Sequence, residues 1–490
     1  MRAGLLALAL LATSSSTAYA GARVGGYARV MARPDLQGGS GRLGYWNLYG
    51  RLLNEGPYAA LDFDYDVLEP EIDAHTPWTT VHMRVEGGSV GAADPGNGRL
   101  DNFRLSQLYV LAGNVLIDRV TWQVGTLEHS MGDLGLYDMR PATVFFDTVG
   151  MSAMLRTGAL EVLLGAGDAG YAVRGESYNP ILTTGGSARI GIGDHIQLGG
   201  GGQWGKESAV EGHIHAPYDT PSMQYEDWVR GEVIQRFRAE HPISADRFPD
   251  PVAATASSGH VFGYLGVGGL GPLSWNSTYV RWETVHPDGP SQETWNGESE
   301  DLHVTSLTDE RTIFMVGNEM QLSLIPEKLE VAWGTLYGNH EDADNDILPS
   351  DHDRWYASTV LRVQTAITPT LAWLTESSIA QEVSRNGNNV REHEDSIFSN
   401  TGGVPDTRGL EFGDTDTRTT WQGKAGLVFN PLGPGIFSRP SLRLLYGLQH
   451  SNQNNAFSNH FVTTLDQYNE FGTVEQHWHH VLALEAEAWF

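Results

Sequence analysis

Residues 329–338, LEVAWGTLYG, indicate the fold class because their side chains separate at a period of two. The bulky members are Leu329, Val331, Trp333, Thr335 and Tyr337. The residues between them are mostly small or polar, as Gly334 and Gly338 illustrate. Successive side chains of a β-strand point to opposite faces of the sheet, so the stretch predicts a strand with one apolar face and one small or polar face.

The same alternation recurs along the chain. Residues 58–67 place Leu61 and Phe63 opposite Asp62 and Asp64, and residues 420–429 repeat the pattern. Strands of about ten residues suit a tilted crossing of a membrane, whereas strands of soluble sheets are usually nearer five or six residues. The length therefore favours a transmembrane β-barrel.

The last eleven residues, 480–490, sharpen this prediction. They alternate in the same way and end on the aromatic residue Phe490. A terminal aromatic that closes an amphipathic strand resembles the signal by which bacterial outer-membrane barrels are recognised for assembly. Long polar segments such as residues 206–256 and 384–417 alternate with short turns, as extracellular loops and periplasmic turns do in such barrels.

Composition excludes several functional classes. The chain of 490 residues carries 31 Lys and Arg against 60 Asp and Glu, a formal net charge of −29, which disfavours a nucleic-acid partner. It contains no cysteine, so a disulfide framework, a thiolate metal site and a cysteine nucleophile are excluded. Its mean hydropathy of −0.29 is too polar for a bundle of membrane helices.

The first twenty residues have the features of an export signal. Arg2 precedes an apolar run over residues 3–12, and Ala18-Tyr19-Ala20 forms a small-x-small cleavage site. We predict a signal peptide over residues 1–20 and one barrel domain over residues 21–490. The predicted location is the outer membrane of a Gram-negative bacterium, where a multi-pass β-barrel contacts lipid.

Five motifs, taken in order, resemble one family of outer-membrane proteins. They are Gly26-Tyr27-Ala28-Arg29; Arg42-Leu43-Gly44 followed by Tyr49; Phe103-Arg104; residues 122–150 with Phe145-Phe146-Asp147; and the closing Trp489-Phe490. Together they resemble maltoporin, the sugar-specific porin family. The resemblance implies an 18-stranded antiparallel barrel, a third loop folded inward as a constriction, a homotrimer, and passive diffusion of maltodextrins or related oligosaccharides.

The resemblance also implies which residues contact sugar. Aromatic rings form a slide for the apolar face of a pyranose, and charged groups bond its hydroxyls. The implied aromatic residues are Tyr27, Tyr49 and Trp489, with Phe145 at the constriction. The implied arginines are Arg29, Arg42 and Arg104, and the implied acids are Asp133, Asp138 and Asp147.

Three positions depart from the family pattern. Met131 stands where the family has an arginine, and Arg51 stands where it has a glutamate. The family tryptophan that reaches a neighbouring subunit has Trp78 as its nearest counterpart here. These changes alter the charge around a bound sugar and leave its identity open.

Other functions remain as alternatives. One is a general or cation-preferring diffusion porin, which the acidic composition favours if the acids face the lumen. Another is a barrel enzyme or a soluble secreted β-protein, but no nucleophile, base and orienting residue stand out, so we predict no enzyme. Asp342, Asp344 and Asp346 alternate like Ca²⁺ ligands, yet the glycine and distal glutamate of an EF-hand are missing, so we predict a solvated loop and no cofactor.

Overall fold

The structure is a computed structural model that describes residues 21–34, 36, 43, 47–68, 75–88, 103–146, 148–169, 181–207, 257–285, 291–295, 298–302, 311–342, 354–384, 417–452 and 477–490. The predicted signal peptide lies outside these residues, as do Arg42, Asp147, Asp344 and Asp346. In the described part of the chain, no helix is long and apolar enough to cross a membrane.

The described residues contain twenty strands. They are β1 (Ala22–Ala32), β2 (Tyr58–Leu68), β3 (Trp78–Gly88), β4 (Arg104–Gly113), β5 (Val120–Leu127), β6 (Thr148–Thr157), β7 (Leu160–Asp168), β8 (Ile181–Ile192), β9 (Ile196–Glu207), β10 (Ser257–Leu270), β11 (Leu273–Val285), β12 (Ser291–Trp295), β13 (Glu298–Leu302), β14 (Arg311–Ile325), β15 (Leu329–Asp342), β16 (Arg354–Ala366), β17 (Leu371–Ser384), β18 (Thr417–Phe429), β19 (Ser441–Ser451) and β20 (Trp478–Trp489).

Eighteen of these described strands form one closed antiparallel sheet, which confirms the predicted barrel. Each barrel strand pairs with the next barrel strand along the chain, so β11 pairs with β14. The barrel closes where β1 pairs with β20, with Tyr27 opposite Trp489. The backbone of Phe490 exchanges two hydrogen bonds with Gly26 and completes the closure. The short strands β12 and β13 form a separate hairpin within the connection from β11 to β14.

The connections alternate in length around the barrel. Those at one end include residues 33–57, called here the first loop, and residues 128–147, called the third loop. At the other end most connections are short, such as the two residues between β6 and β7. Long extracellular loops and short periplasmic turns are typical of outer-membrane barrels, so the long connections mark the extracellular end.

The two faces of the strands follow the predicted alternation. On β15, Trp333 and Tyr337 are exposed on the outer surface, whereas Ala332 and Leu336 are buried inside the barrel. On β20, Leu482 and Leu484 face outward and alternate with buried Glu485 and Glu487. An apolar exterior with charged residues inside is the arrangement that a membrane-spanning barrel requires.

The core lies inside the barrel and consists of loop residues packed on the inner wall. Leu134, Leu136 and Tyr137 of the third loop are fully buried, as are Leu48 and Leu53 of the first loop. The inward-folded third loop is therefore present as predicted, and the first loop accompanies it.

Glycines in the barrel wall make room for the third loop. A Cβ atom at Gly165 would lie 2.7 Å from the Phe145 ring, and one at Gly317 would lie 2.6 Å from Leu134. A Cβ at Gly334 would lie 2.7 Å from Tyr137. Each distance is too short for an ordinary contact, so glycine at these wall positions permits the close seating of the loop.

Candidate functional site

The two inward loops contact each other and form one partition in the lumen. The Arg51 amide of the first loop donates to the Leu136 carbonyl of the third loop at 2.8 Å. The third loop continues onto the wall, where Glu319 of β14 accepts the Leu136 amide at 2.8 Å. This partition packs mainly against lumenal residues of the strands from β7 to β20, including Val481 and Ala483 of β20. Partly accessible lumenal side chains lie on β1–β6, so the space left for a solute lies along those strands.

The first loop is bound to the wall through a buried network of ion pairs on β16–β18. Lys424 on β18 donates to the Tyr49 carbonyl at 2.8 Å and also pairs with Glu376 on β17 at 2.8 Å. Arg362 on β16 pairs with the same Glu376 at 2.6 Å. Breaking one member of such a buried pair is costly because the remaining charge loses its partner. The described residues 47–57 of the first loop are thus held against the wall.

Three aromatic rings follow one another on neighbouring strands beside this partition. The Tyr27 ring on β1 lies 6.3 Å from the Trp489 ring on β20 and 5.7 Å from the Tyr58 ring on β2, centroid to centroid. The strand register places all three side chains on the lumenal face. We call Trp489, Tyr27 and Tyr58 the aromatic row.

Charged side chains form hydrogen bonds with the hydroxyl groups of the two tyrosines in the aromatic row. The Tyr27 hydroxyl donates to Glu487 Oε1 at 2.7 Å and accepts from Arg51 Nη2 at 2.9 Å. The Tyr58 hydroxyl donates to Glu86 at 2.6 Å. These bonds restrict the orientation of both rings, and both residues remain partly exposed.

A second group of polar residues continues from the aromatic row around the wall. His82 on β3 stacks on Tyr109 of β4 with ring centroids 4.4 Å apart, and its Nδ1 atom lies 2.8 Å from Asp64. Asp62 and Asp64 on β2 remain partly exposed, with 28% and 32% of their side chains accessible. Carboxylates thus face the lumen on β2.

Arginines face the same space from other elements. The Arg104 side chain on β4 is 77% exposed and lies 3.5 Å from Glu86. Arg140 of the third loop donates to Glu128 at 2.5 Å and is also exposed. Arg156 and Arg189 face inward from β6 and β8 and both contact Glu161. The lumen therefore offers donors and acceptors of both charges.

The third loop contributes two acids to this space. Asp133 and Asp138 are exposed on the loop. Desolvation within the barrel opposes ionisation of Asp138, but Arg51 and its neighbours outweigh this effect and hold the pKa of that carboxyl below its ordinary value. Asp138 is therefore a carboxylate at neutral pH.

Two of the predicted aromatic contacts need correction. Tyr49 is 2% exposed, and its hydroxyl donates to Glu382 of β17 at 2.8 Å. Phe145 is also 2% exposed and packs on the wall at Gly165. Neither ring faces the open part of the lumen, because each anchors a loop to the wall.

Arg29 is also removed from direct contact with a solute. It is 4% exposed, donates to the Gly56 carbonyl at 2.8 Å and pairs with Glu55 of the first loop. Through these two contacts the Arg29 side chain stabilises the first loop. Tyr27, Trp489, Arg104, Asp133 and Asp138 are the predicted residues that lie on accessible lumenal surface.

The positions that depart from the family pattern have structural explanations. Met131 is buried in the third loop, where a Cβ at Gly199 would lie 2.6 Å from its sulfur. Arg51 supports Tyr27 and Glu487, as described above. Trp78 begins β3 at the end of the barrel with short connections and lies on the lumenal face, opposite Gly113.

Tyr58 is a partly accessible aromatic residue of the lumenal face that the sequence did not single out. It heads the polar face of β2, followed by Ala60 and Asp62 at a period of two. This alternation of polar and apolar residues on β2 could have predicted that the Tyr58 ring faces the lumen. Its neighbour across the strands is Arg29, which also faces inward.

Among the described residues, no group of three or more His, Asp or Glu side chains is arranged to hold a metal ion. Asp342 ends β15, and the other two members of the predicted Ca²⁺ triplet lie outside the described residues.

No protein-family model matches the chain, and no curated protein matches it. Solved structures with a similar architecture include the outer-membrane channel DcaP of Acinetobacter baumannii, with 10% identity, a TM-score of 0.42, and coverage of 75% of this chain and 94% of that one. The outer-membrane protein OmpT of Vibrio cholerae has 8% identity, a TM-score of 0.40, and coverage of 96% and 99%.

An anion-selective porin from Comamonas acidovorans has 9% identity, a TM-score of 0.41, and coverage of 96% of this chain and 100% of that one. None of these three is a maltoporin. Because the identities are about a tenth and the TM-scores are below 0.5, the function proposed next rests on the geometry of this chain.

Proposed function

We propose that the chain is a passive outer-membrane porin selective for oligosaccharides of the maltodextrin type. The observation that carries this proposal is the aromatic row of Trp489, Tyr27 and Tyr58, which lies along the open part of the lumen. Aromatic faces pack on the C–H face of a pyranose. A row of three such faces offers successive weak contacts, which allow a sugar chain to move and leave.

The charged residues around the row supply the second requirement. A sugar that loses water needs partners for its hydroxyls, since unsatisfied polar groups cost about 1–3 kcal/mol each. Arg104, Asp133, Asp138 and Arg140 are exposed within reach of the lumen and include both donors and acceptors. Charge-assisted bonds from such groups are the stronger ones.

Liposome swelling tests this function. Vesicles that contain the purified protein would be diluted into maltose, maltotriose or maltohexaose, or into poly(ethylene glycol) of matched hydrodynamic size. We expect the sugars to enter faster than the matched polymer, with rates that saturate with sugar concentration. Equal rates for sugar and polymer at every size would contradict sugar selectivity while leaving a general pore.

A cation-preferring diffusion porin is the second candidate, and the exposed Asp62 and Asp64 favour it. Carboxylates that line a narrow lumen raise the local concentration of cations. A reversal potential measured across a salt gradient would show cation preference, and a lack of any sugar saturation would then favour this candidate.

The other expectations belong to the same proposal. We infer that the protein is a homotrimer in contact with outer-membrane lipid, that it acts without a cofactor, and that it is not an enzyme. Sedimentation of the detergent-solubilised protein, with the mass of bound detergent subtracted, tests the trimer: a mass of one chain would contradict it.

A further inference from the structure

The connection between β18 and β19 differs from the other short connections at its end of the barrel. It runs over residues 430–440 and has eleven residues, whereas the other connections at this end have between two and nine. We call it the inward turn. Its central part is not at the surface, because Ile436 is 3% exposed and belongs to the same buried cluster as the third loop.

The inward turn reaches strands on the far side of the partition. The Ile436 amide donates to Glu330 Oε2 on β15 at 2.9 Å. The Phe437 ring lies 6.0 Å from the Trp275 ring on β11, centroid to centroid. A segment that follows β18 therefore contacts β11, which lies five places from β18 around the barrel.

The inward turn also contacts the third loop, from the periplasmic side. A Cβ added at Gly135 would lie 3.2 Å from the Phe437 ring. The third loop descends from the extracellular end and the inward turn rises from the opposite end, so their contact extends the partition through the length of the lumen.

The end of the inward turn is tied to the aromatic row. Arg439 pairs with Glu487 Oε2 at 2.6 Å, and Glu487 accepts the Tyr27 hydroxyl through its other oxygen. Arg443 on β19 donates to Glu487 as well, at 2.5 Å. The turn is thus held at β11, at β15 and at β20, and both its apolar middle and its charged end are anchored.

We propose that the inward turn is a second constriction, a floor that closes the β11–β19 side of the lumen at the periplasmic end. A solute that passes the third loop then leaves beside β1–β6 and past the end of β20, next to Tyr27 and Trp489. The limit on solute size is set at this exit as well as at the third loop. This inference rests on the proposed channel and names the element that shapes its exit.

Two variants test the floor. In the first, Asn-Gly replaces residues 431–440, which joins β18 to β19 by a two-residue turn of a type that such hairpins favour. In the second, Ile436→Gly and Phe437→Gly remove the apolar anchors but keep Arg439 and its pair. Leu432→Ser is the matched control, because Leu432 is in the same turn and is 80% exposed.

The readout is single-channel conductance in plain salt, with folding checked by heat-modifiable migration on a gel. We expect the conductance of the shortened variant to rise by about half or more. The double-glycine variant should show a higher or fluctuating conductance, and the Leu432→Ser control should have the conductance of the unchanged protein. If the shortened variant does not fold, the conductance of the double-glycine variant tests the floor by itself.

Unchanged conductance in the folded variants would overturn the floor. So would an equal rise in the control. Because no sugar is present, this outcome is independent of sugar selectivity: loss of sugar saturation in the unchanged protein would refute the proposed function alone, and absence of any channel would refute both.

Discussion

Replacing Trp489 by alanine removes the most exposed ring of the aromatic row. The residue is 65% exposed to the lumen. A tryptophan side chain carries about 250 Å² of surface, so about 160 Å² is free to contact a solute, and one pyranose face covers about half of it. At about 25 cal/mol per Å², the lost contact amounts to about 2 kcal/mol.

A loss of about 2 kcal/mol corresponds to a sugar dissociation constant about thirtyfold higher. The assay is ion current through the reconstituted Trp489→Ala channel during titration with maltohexaose. The open-channel conductance should stay the same or rise slightly, since a bulky ring leaves the lumen. Trp373→Ala is the control, because that tryptophan is on the outer face of β17, is 47% exposed and should leave sugar affinity unchanged. An unchanged dissociation constant in Trp489→Ala would refute the role of the aromatic row.

Three further outcomes follow from the same contacts. Tyr58→Phe keeps the ring and should bind sugar within about threefold of the unchanged protein, whereas Tyr58→Ala should bind about tenfold more weakly; current titration would show no difference if the ring has no role. Glu487→Ala leaves Arg51, Arg439 and Arg443 without their shared carboxylate and should lower the unfolding free energy by about 3–5 kcal/mol. Heat-modifiable migration measured over a series of temperatures tests this, and an unfolding temperature equal to that of the unchanged protein would contradict it. Asp62→Asn with Asp64→Asn should reduce cation preference, and an unshifted reversal potential would exclude these acids from the ion path.

The barrel could be predicted from sequence because its pattern is local. A lumenal face and a lipid face alternate at every second residue, and this period shows in residues 329–338 without knowledge of any contact. The same parity placed Trp489 on the lumenal face, opposite Leu484 and Phe490. The number of eighteen strands came from the resemblance to maltoporin, because the period shows that a strand is present without fixing how many strands close the barrel.

The loop residues could not be placed in the same way. Tyr49 and Phe145 are in segments where no period applies, and their burial depends on wall positions far away in sequence, such as Glu382 and Gly165. The inward turn was not singled out in the sequence, where its Gly and Pro residues are typical of an ordinary turn. Its anchors at Glu330 and Trp275 are contacts between distant parts of the chain.

The most direct test of sugar selectivity is the ion current of the unchanged protein in a planar bilayer during titration with a maltodextrin series. We expect saturable block whose affinity rises from maltose to maltohexaose as more glucose units contact the aromatic row. An open channel whose current is insensitive to every member of the series would contradict the sugar-selective function.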